Sequence, residues 1–117
     1  MSYQTIAVEN IGDITVIRVL ERRVFLKISD QFRDEVVRTI DGGANRVIFD
    51  LGNVHVMNSS GLGVLILARD MLQKKGGKII LCGFLKVMEE IFYRMHLDNF
   101  FHICKDVPEA VEAMGQG

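Results

Sequence analysis

Tryptophan is absent from this sequence, proline occurs once, at Pro108, and cysteine only twice, at Cys82 and Cys104. One proline excludes a proline-rich linker or recognition segment. Two cysteines do not amount to the dense disulfide framework of a small secreted scaffold. They end or interrupt the apolar runs Ile79-Ile80-Leu81-Cys82 and His102-Ile103-Cys104, and they read as buried free thiols. Long hydrophobic runs are missing too. The longest, Gly61 to Ala68, is far short of the roughly 20 residues a membrane span needs.

An excess of charge of either sign is also lacking. Fourteen basic residues meet fifteen acidic ones, for a formal net charge of −1, and no long block of either sign occurs. That balance gives no electrostatic footprint for nucleic acid or an anionic membrane, so neither is expected as a partner. No basic segment precedes an apolar block at the N-terminus; Glu9 and Asp13 arrive early instead. The expectation is a soluble, cytoplasmic protein.

The 117 residues suit one domain spanning 1–117, long enough to bury roughly two-thirds of the unfolded surface. A hydrophobic content of 49% argues against disorder. Only Gly115-Gln116-Gly117 reads as frayed.

Two strand-like runs, Tyr3 to Val8 and Ile14 to Leu20, flank Glu9-Asn10-Ile11-Gly12-Asp13 and predict a hairpin. Glu21 to Ile28 stays open between a strand, from the alternation of Val24, Leu26 and Ile28, and an irregular loop. Ser29 or Asp30 then reads as a helix cap, with Phe32, Val36, Val37 and Ile40 on one face and Gly42-Gly43 as the stop. Val47-Ile48-Phe49 and Lys78 to Cys82 read as strands covered on both faces. Between them a helix after Ser60 buries Leu62, Leu65, Ile66, Ala68 and Leu72 or their neighbours, and ends at Lys74-Lys75-Gly76-Gly77. Val87, Met88, Ile91, Phe92 and Met95 have helix spacing, and Asn99 to Ile103 reads as a last strand. Asp106 caps a final helix with Pro108 in its first turn. Alternating strands and helices from Arg46 onward predict an α/β fold: parallel core strands, an antiparallel hairpin in front, and about four covering helices.

Chemistry-bearing motifs are few. Gly61-Leu62-Gly63 lacks the third glycine of a dinucleotide fingerprint, since Ile66 stands there, and suits close helix–strand contact or an exposed backbone instead. Met57-Asn58-Ser59-Ser60-Gly61 lacks the first glycine of a nucleophile elbow, even with His96 or His102 and Asp98 or Asp106 as conceivable base partners. His55, His96 and His102 have no metal-ligand spacing with one another or with the cysteines. No metal, no cofactor and no enzymatic activity are expected. Arg22-Arg23 is a solvated loop or part of a partner surface.

One stretch remains, Asn58-Ser59-Ser60-Gly61-Leu62-Gly63, between a buried strand and an apolar helix. Small hydroxyl residues there either cap free N–H groups or mark a place where a phosphate is favoured by those groups and the helix dipole.

Val47-Ile48-Phe49-Asp50-Leu51 followed by Val54-His55-Val56-Met57-Asn58-Ser59-Ser60-Gly61-Leu62-Gly63-Val64-Leu65 resembles the core signature of bacterial anti-sigma factor antagonists, which are single STAS domains. The likeness continues through Gly76 to Cys82, through Met88 to Met95, and into His96-Leu97-Asp98-Asn99-Phe100-Phe101. The resemblance implies a STAS-type mixed sheet and a partner switch. In that family the serine after an acidic residue in Asp-Ser-Ser/Thr-Gly-Leu is phosphorylated, and that position is Ser59 here. The unphosphorylated domain binds an anti-sigma factor that is also a serine kinase, releasing the sigma factor. The kinase phosphorylates Ser59, and a PP2C-type phosphatase reverses it. Asn58, Ser59, Ser60, Gly61, Leu62, Arg22 and Arg23 are the implied partner-binding positions. Two departures stand out. Asn58 replaces the acidic residue, and Arg22-Arg23-Val24-Phe25 replaces the family's Gly-Glu-Leu/Ile-Asp stretch. These departures suit an alternative, a constitutive STAS scaffold or accessory subunit of a signalling or transport-ATPase complex without a phospho-switch.

Overall fold

The computed structural model describes residues 3–115. Strands β1 (Ile6–Ile11) and β2 (Ile14–Val19) form the expected antiparallel hairpin, with Ile6 opposite Val19 and Ile11 opposite Ile14. The turn is shorter than predicted. Glu9, Asn10 and Ile11 belong to β1, and only Gly12-Asp13 turn, with Gly12 at φ +61°. As the edge strand, β1 can expose polar residues without leaving the ladder.

The undecided segment resolves into a strand of two residues, β3 (Arg23–Val24), and the start of helix α1 (Leu26–Asp41). The cap expected at Ser29 or Asp30 is thereby corrected. Phe25, in extended conformation, is the N-cap and offers no side-chain hydrogen bond. Ser29 lies one turn inside, 3% exposed. Packing settles the boundary: Phe32, Val36 and Ile40 are buried, and Glu35 reaches back to the segment before β1. Gly42 ends the helix, and Gly43 adopts φ +122°.

Strands β4 (Arg46–Asp50), β6 (Lys78–Cys82) and β7 (His102–Cys104) complete a five-stranded sheet in the order β1-β2-β4-β6-β7, parallel from β2 onward. Strand β5 (Val56–Met57), not anticipated, pairs in parallel with β3 as a separate two-stranded sheet. Helices α2 (Ser59–Lys74), α3 (Lys86–Arg94) and α4 (Val107–Gly115) bring the helix count among the described residues to four, and a short 3-10 turn covers Leu97–Asn99. That turn displaces the last strand, predicted at Asn99 to Ile103, toward the C-terminus. Gly115 is helical rather than frayed, and Gln116 and Gly117 lie outside the described residues.

Two cores face opposite sides of the sheet. Phe32, Val36, Leu65, Leu72, Met88 and Phe92 of α1, α2 and α3 pack with Ile17, Val19, Val47, Phe49 and Leu81. Ala110 and Met114 of α4 cover Ile48, Ile80, Cys82 and Cys104. Asp106 caps α4 as expected, its Oδ1 accepting from Glu109 N at 3.0 Å. The Arg46 guanidinium donates to the Met114 carbonyl at that helix's end. Ile66, read as buried together with Leu62 and Leu65, is on the surface instead, and Val87 and Met95 at the two ends of the α3 run are exposed as well. Their apolar stripes are narrower than the sequence spacing suggests, because each helix buries one face only.

Candidate partner-binding site

The small β3–β5 sheet delivers the chain to the start of α2. Asn58 N donates to Val24 O at 3.1 Å, holding the last extended residue against β3. Asn58 is the helix cap: its Oδ1 accepts from Gly61 N at 3.2 Å. The capping task predicted for a serine thus falls to Asn58.

The two serines have different fates. Ser60 Oγ lies 2.6 Å from Asn58 Oδ1 and 2.8 Å from Ser29 Oγ. With one proton on each hydroxyl, Ser29 donates to Ser60 and Ser60 to Asn58, and the chain joins the starts of α1 and α2. Ser59 is exposed, and its hydroxyl has no hydrogen-bond partner among the described residues. No histidine or carboxylate bonds to either serine among those residues. As the first two residues of α2, Ser59 and Ser60 carry backbone N–H groups that precede the intrahelical ladder, at its positive end.

Gly61 and Leu62 sit beneath this surface. Leu62 is 6% exposed and belongs to the core. A β-carbon on Gly61 would overlap Met57 Cγ and come within 3.0 Å of Val24 Cγ1, so the expected close approach of helix and strand is present. Gly63 has open space where a β-carbon would go.

Arg22 and Arg23 stand beside this site through β3. The carbonyl of Arg22 accepts from His55 N and Val56 N at 2.8 and 3.2 Å, and Arg23 pairs with Val56 across the small sheet. The Arg22 guanidinium is 3.4 Å from His55 Nε2. Neither arginine is in an ion pair among the described residues. A cavity of about 640 Å³ is lined by Leu20, Glu21, Arg22, Arg23 and His55. Leu26, the first residue of α1, has φ +43° and is 76% exposed. An exposed leucine in the left-handed region is uncommon, and spacing gave no hint of it; Val24-Leu26-Ile28 alternates as a strand would.

The cysteines take no part here. Both thiols are free and buried. Burial first, then the charges of Asp50, Cys104 and Asp106, push Cys82 up to about 12, and burial raises Cys104 as well. Such thiols stay protonated and unreactive. Among the described residues no cluster of histidine, cysteine, aspartate or glutamate has the geometry to hold a metal ion, and no helix is long and apolar enough to cross a membrane.

The arrangement is thus an exposed, unengaged hydroxyl at a helix start, flanked by a basic strand. Comparison with known proteins gives it a context. The chain is similar to a Bordetella bronchiseptica protein, BtrV, whose provisional name is anti-sigma factor antagonist; they are 31% identical over 64 residues, 55% of this chain and 55% of that one. The match spans about half the length of that relative. An anti-sigma factor antagonist from Mycobacterium paratuberculosis superposes with a TM-score of 0.84 at 18% identity, over 94% of this chain and 92% of the other. The Bacillus cell fate determinant SpoIIAA in its phosphorylated form superposes at 0.69 and 22% identity, over 92% and 97%. These likenesses establish the fold. Residues 5–110 match the STAS domain model, and the chain belongs to the STAS domain family.

Proposed function

We propose that this protein is an anti-sigma factor antagonist working by phosphorylation-controlled partner switching, as a binding protein rather than an enzyme. The observation that carries the proposal is the contrast between the serines: Ser59 presents a free hydroxyl to solvent, whereas Ser60 is tied to Asn58 and Ser29. A kinase needs an acceptor that enters its active site without unfolding the substrate, and Ser59 meets that need. The names of relatives such as BtrV and the phosphorylated form of SpoIIAA support the same reading.

In this scheme the unphosphorylated domain binds an anti-sigma factor that is also a serine kinase, and the sigma factor is freed. Asn58, Ser59, Ser60, Arg22 and Arg23 form the contact surface, with Gly61 and Leu62 setting the helix start from below. Phosphate on Ser59 adds about −1.5 to −2 charge at pH 7. The unpaired N–H groups and the dipole of α2 accommodate that charge within the protein. A partner packed on the same spot faces a bulky, strongly hydrated group and is released. A PP2C-type phosphatase resets the system.

The test is direct. Protein from its native host should carry phosphate on Ser59 alone, and ATP should dissociate its kinase complex. A Ser59→Ala complex that still falls apart on ATP addition sinks the mechanism. Asn58 in place of the family's acidic residue favours a second reading, a constitutive scaffold or accessory subunit. That reading predicts a stable partner complex in which Ser59 is never modified.

A further inference from the structure

Strand β1 is an edge of the five-stranded sheet, and its ladder fixes which backbone groups face outward. Leu20 N donates to Thr5 O at 2.8 Å, and these two residues continue the register in which Ile6 faces Val19. Ala7, Glu9 and Ile11 therefore exchange hydrogen bonds with β2, and the N–H and C=O groups of Ile6, Val8 and Asn10 point away from it. Among the described residues no loop or side chain takes up those groups.

Such an edge is a template for another strand unless something blunts it, and β1 carries little that does. Its register with β2 runs from Ile6 to Ile11 without a bulge, and it contains neither proline nor lysine. Val8, beside Ile17 and with no strand beyond it, is 38% exposed. The one charge on the strand is Glu9, which is exposed and in no hydrogen bond or ion pair among the described residues. The opposite edge, β7, is only 3 residues long.

We infer that β1 pairs antiparallel with β1 of a second copy of this chain, about a two-fold axis at Val8, and joins the two sheets into one. Only the register with Val8 opposite Val8 uses all the outward groups, because Ile6 and Asn10 then face each other in both directions. A shift either way loses a pair, and one of the two shifts also sets Glu9 directly opposite Glu9. In the Val8 register Glu9 of the partner subunit faces Ala7, whose neighbour on the other side is Arg18. That glutamate and Arg18 share one face of the sheet, two strand spacings or about 10 Å apart at the backbone, with only the methyl group of Ala7 between them. Arg18 already leans on Asp50 at 3.4 Å and, with its side chain 47% exposed, keeps donors for a second carboxylate. On the opposite face the two Val8 side chains cover each other. The pairing closes after two copies, since each has one long edge. It uses no residue of the proposed partner-binding site and does not depend on the phosphorylation reading.

Sedimentation velocity of the full-length chain, over a concentration series reaching ~1 mM, is the test. A monomer–dimer equilibrium is expected. Val8→Pro removes only an outward N–H, a change that edge strands tolerate, so it should keep the far-UV circular dichroism and shift the protein to monomer. Glu9→Lys and Arg18→Glu should each weaken the dimer by about tenfold. An equimolar mixture of those two variants should recover the pairing, because the mixed dimer restores opposite charges at both positions. A monomer at every concentration, a dimer that folded Val8→Pro leaves intact, or a mixture that associates no more tightly than its components would overturn the proposal.

Discussion

Asn58 does three jobs with one carboxamide and one amide: it caps α2, accepts from Ser60 and pins the chain to Val24. Asn58→Ala should cost about 1 kcal/mol from the cap, with more from the stranded Ser60, whereas Asn58→Asp should leave stability nearly unchanged, since the two cap alike. Urea unfolding of the three proteins checks this. The glycines of the same turn separate in the same assay. Gly61→Ala drives a methyl into Met57 and should destabilise by about 1–3 kcal/mol, while Gly63→Ala, facing open space, should stabilise by up to ~1 kcal/mol. Glu35 adds a pH dependence. Burial pushes its carboxyl up, but hydrogen bonds from the Thr5 hydroxyl, from the backbone of Thr5 and Gln4 and from Gln31 outweigh this and hold it below its ordinary 4.5. A folded-state pKa below the unfolded one contributes stability that is fully present above about 4.5 and is lost as pH falls through the folded value. Glu35→Gln should flatten that acid limb in thermal melts taken across the range.

At the scale of elements, the start of α2 is where charge and packing part company. Ser59→Glu puts a carboxylate on an exposed first-turn position and should leave stability unchanged or raise it by roughly 0.3–1 kcal/mol at low salt. Ser60→Glu breaks the link to Ser29, which is 3% exposed, and should cost about 1–3 kcal/mol. Thermal denaturation of both tells a tolerated charge from a disruptive one. The start of α2 was legible from small polar residues before an apolar run, although the capping role went to Asn58 and not to a serine. The start of α1 was not. Phe25 is no capping residue, and Ser29, which resembles one, is used for contact with Ser60 instead. Strands β3 and β5, two residues each, carry too little periodicity to register; their pairing is set by the packing of Val24 and Met57 in the core.

For the molecule as a whole, the alternation of apolar strands and amphipathic helices after Arg46 was enough to predict parallel strands flanked by helices, because few topologies satisfy right-handed crossovers and short connections. The partition into two cores was less visible. Cys82 and Cys104 gave no sign in sequence that they lie in register on neighbouring strands under α4. The β3–β5 sheet has a consequence for how such a protein diversifies. Its strands hydrogen-bond to each other and not to the five-stranded sheet, so residues 20–26 and 52–61 form a cassette with its own ladder, seated on the main core through Val24, Val54 and Met57. Provided Val24, Met57 and Gly61 travel with it, that cassette should be transplantable between relatives while the recipient keeps its own architecture, and under the proposed function partner choice should move with it.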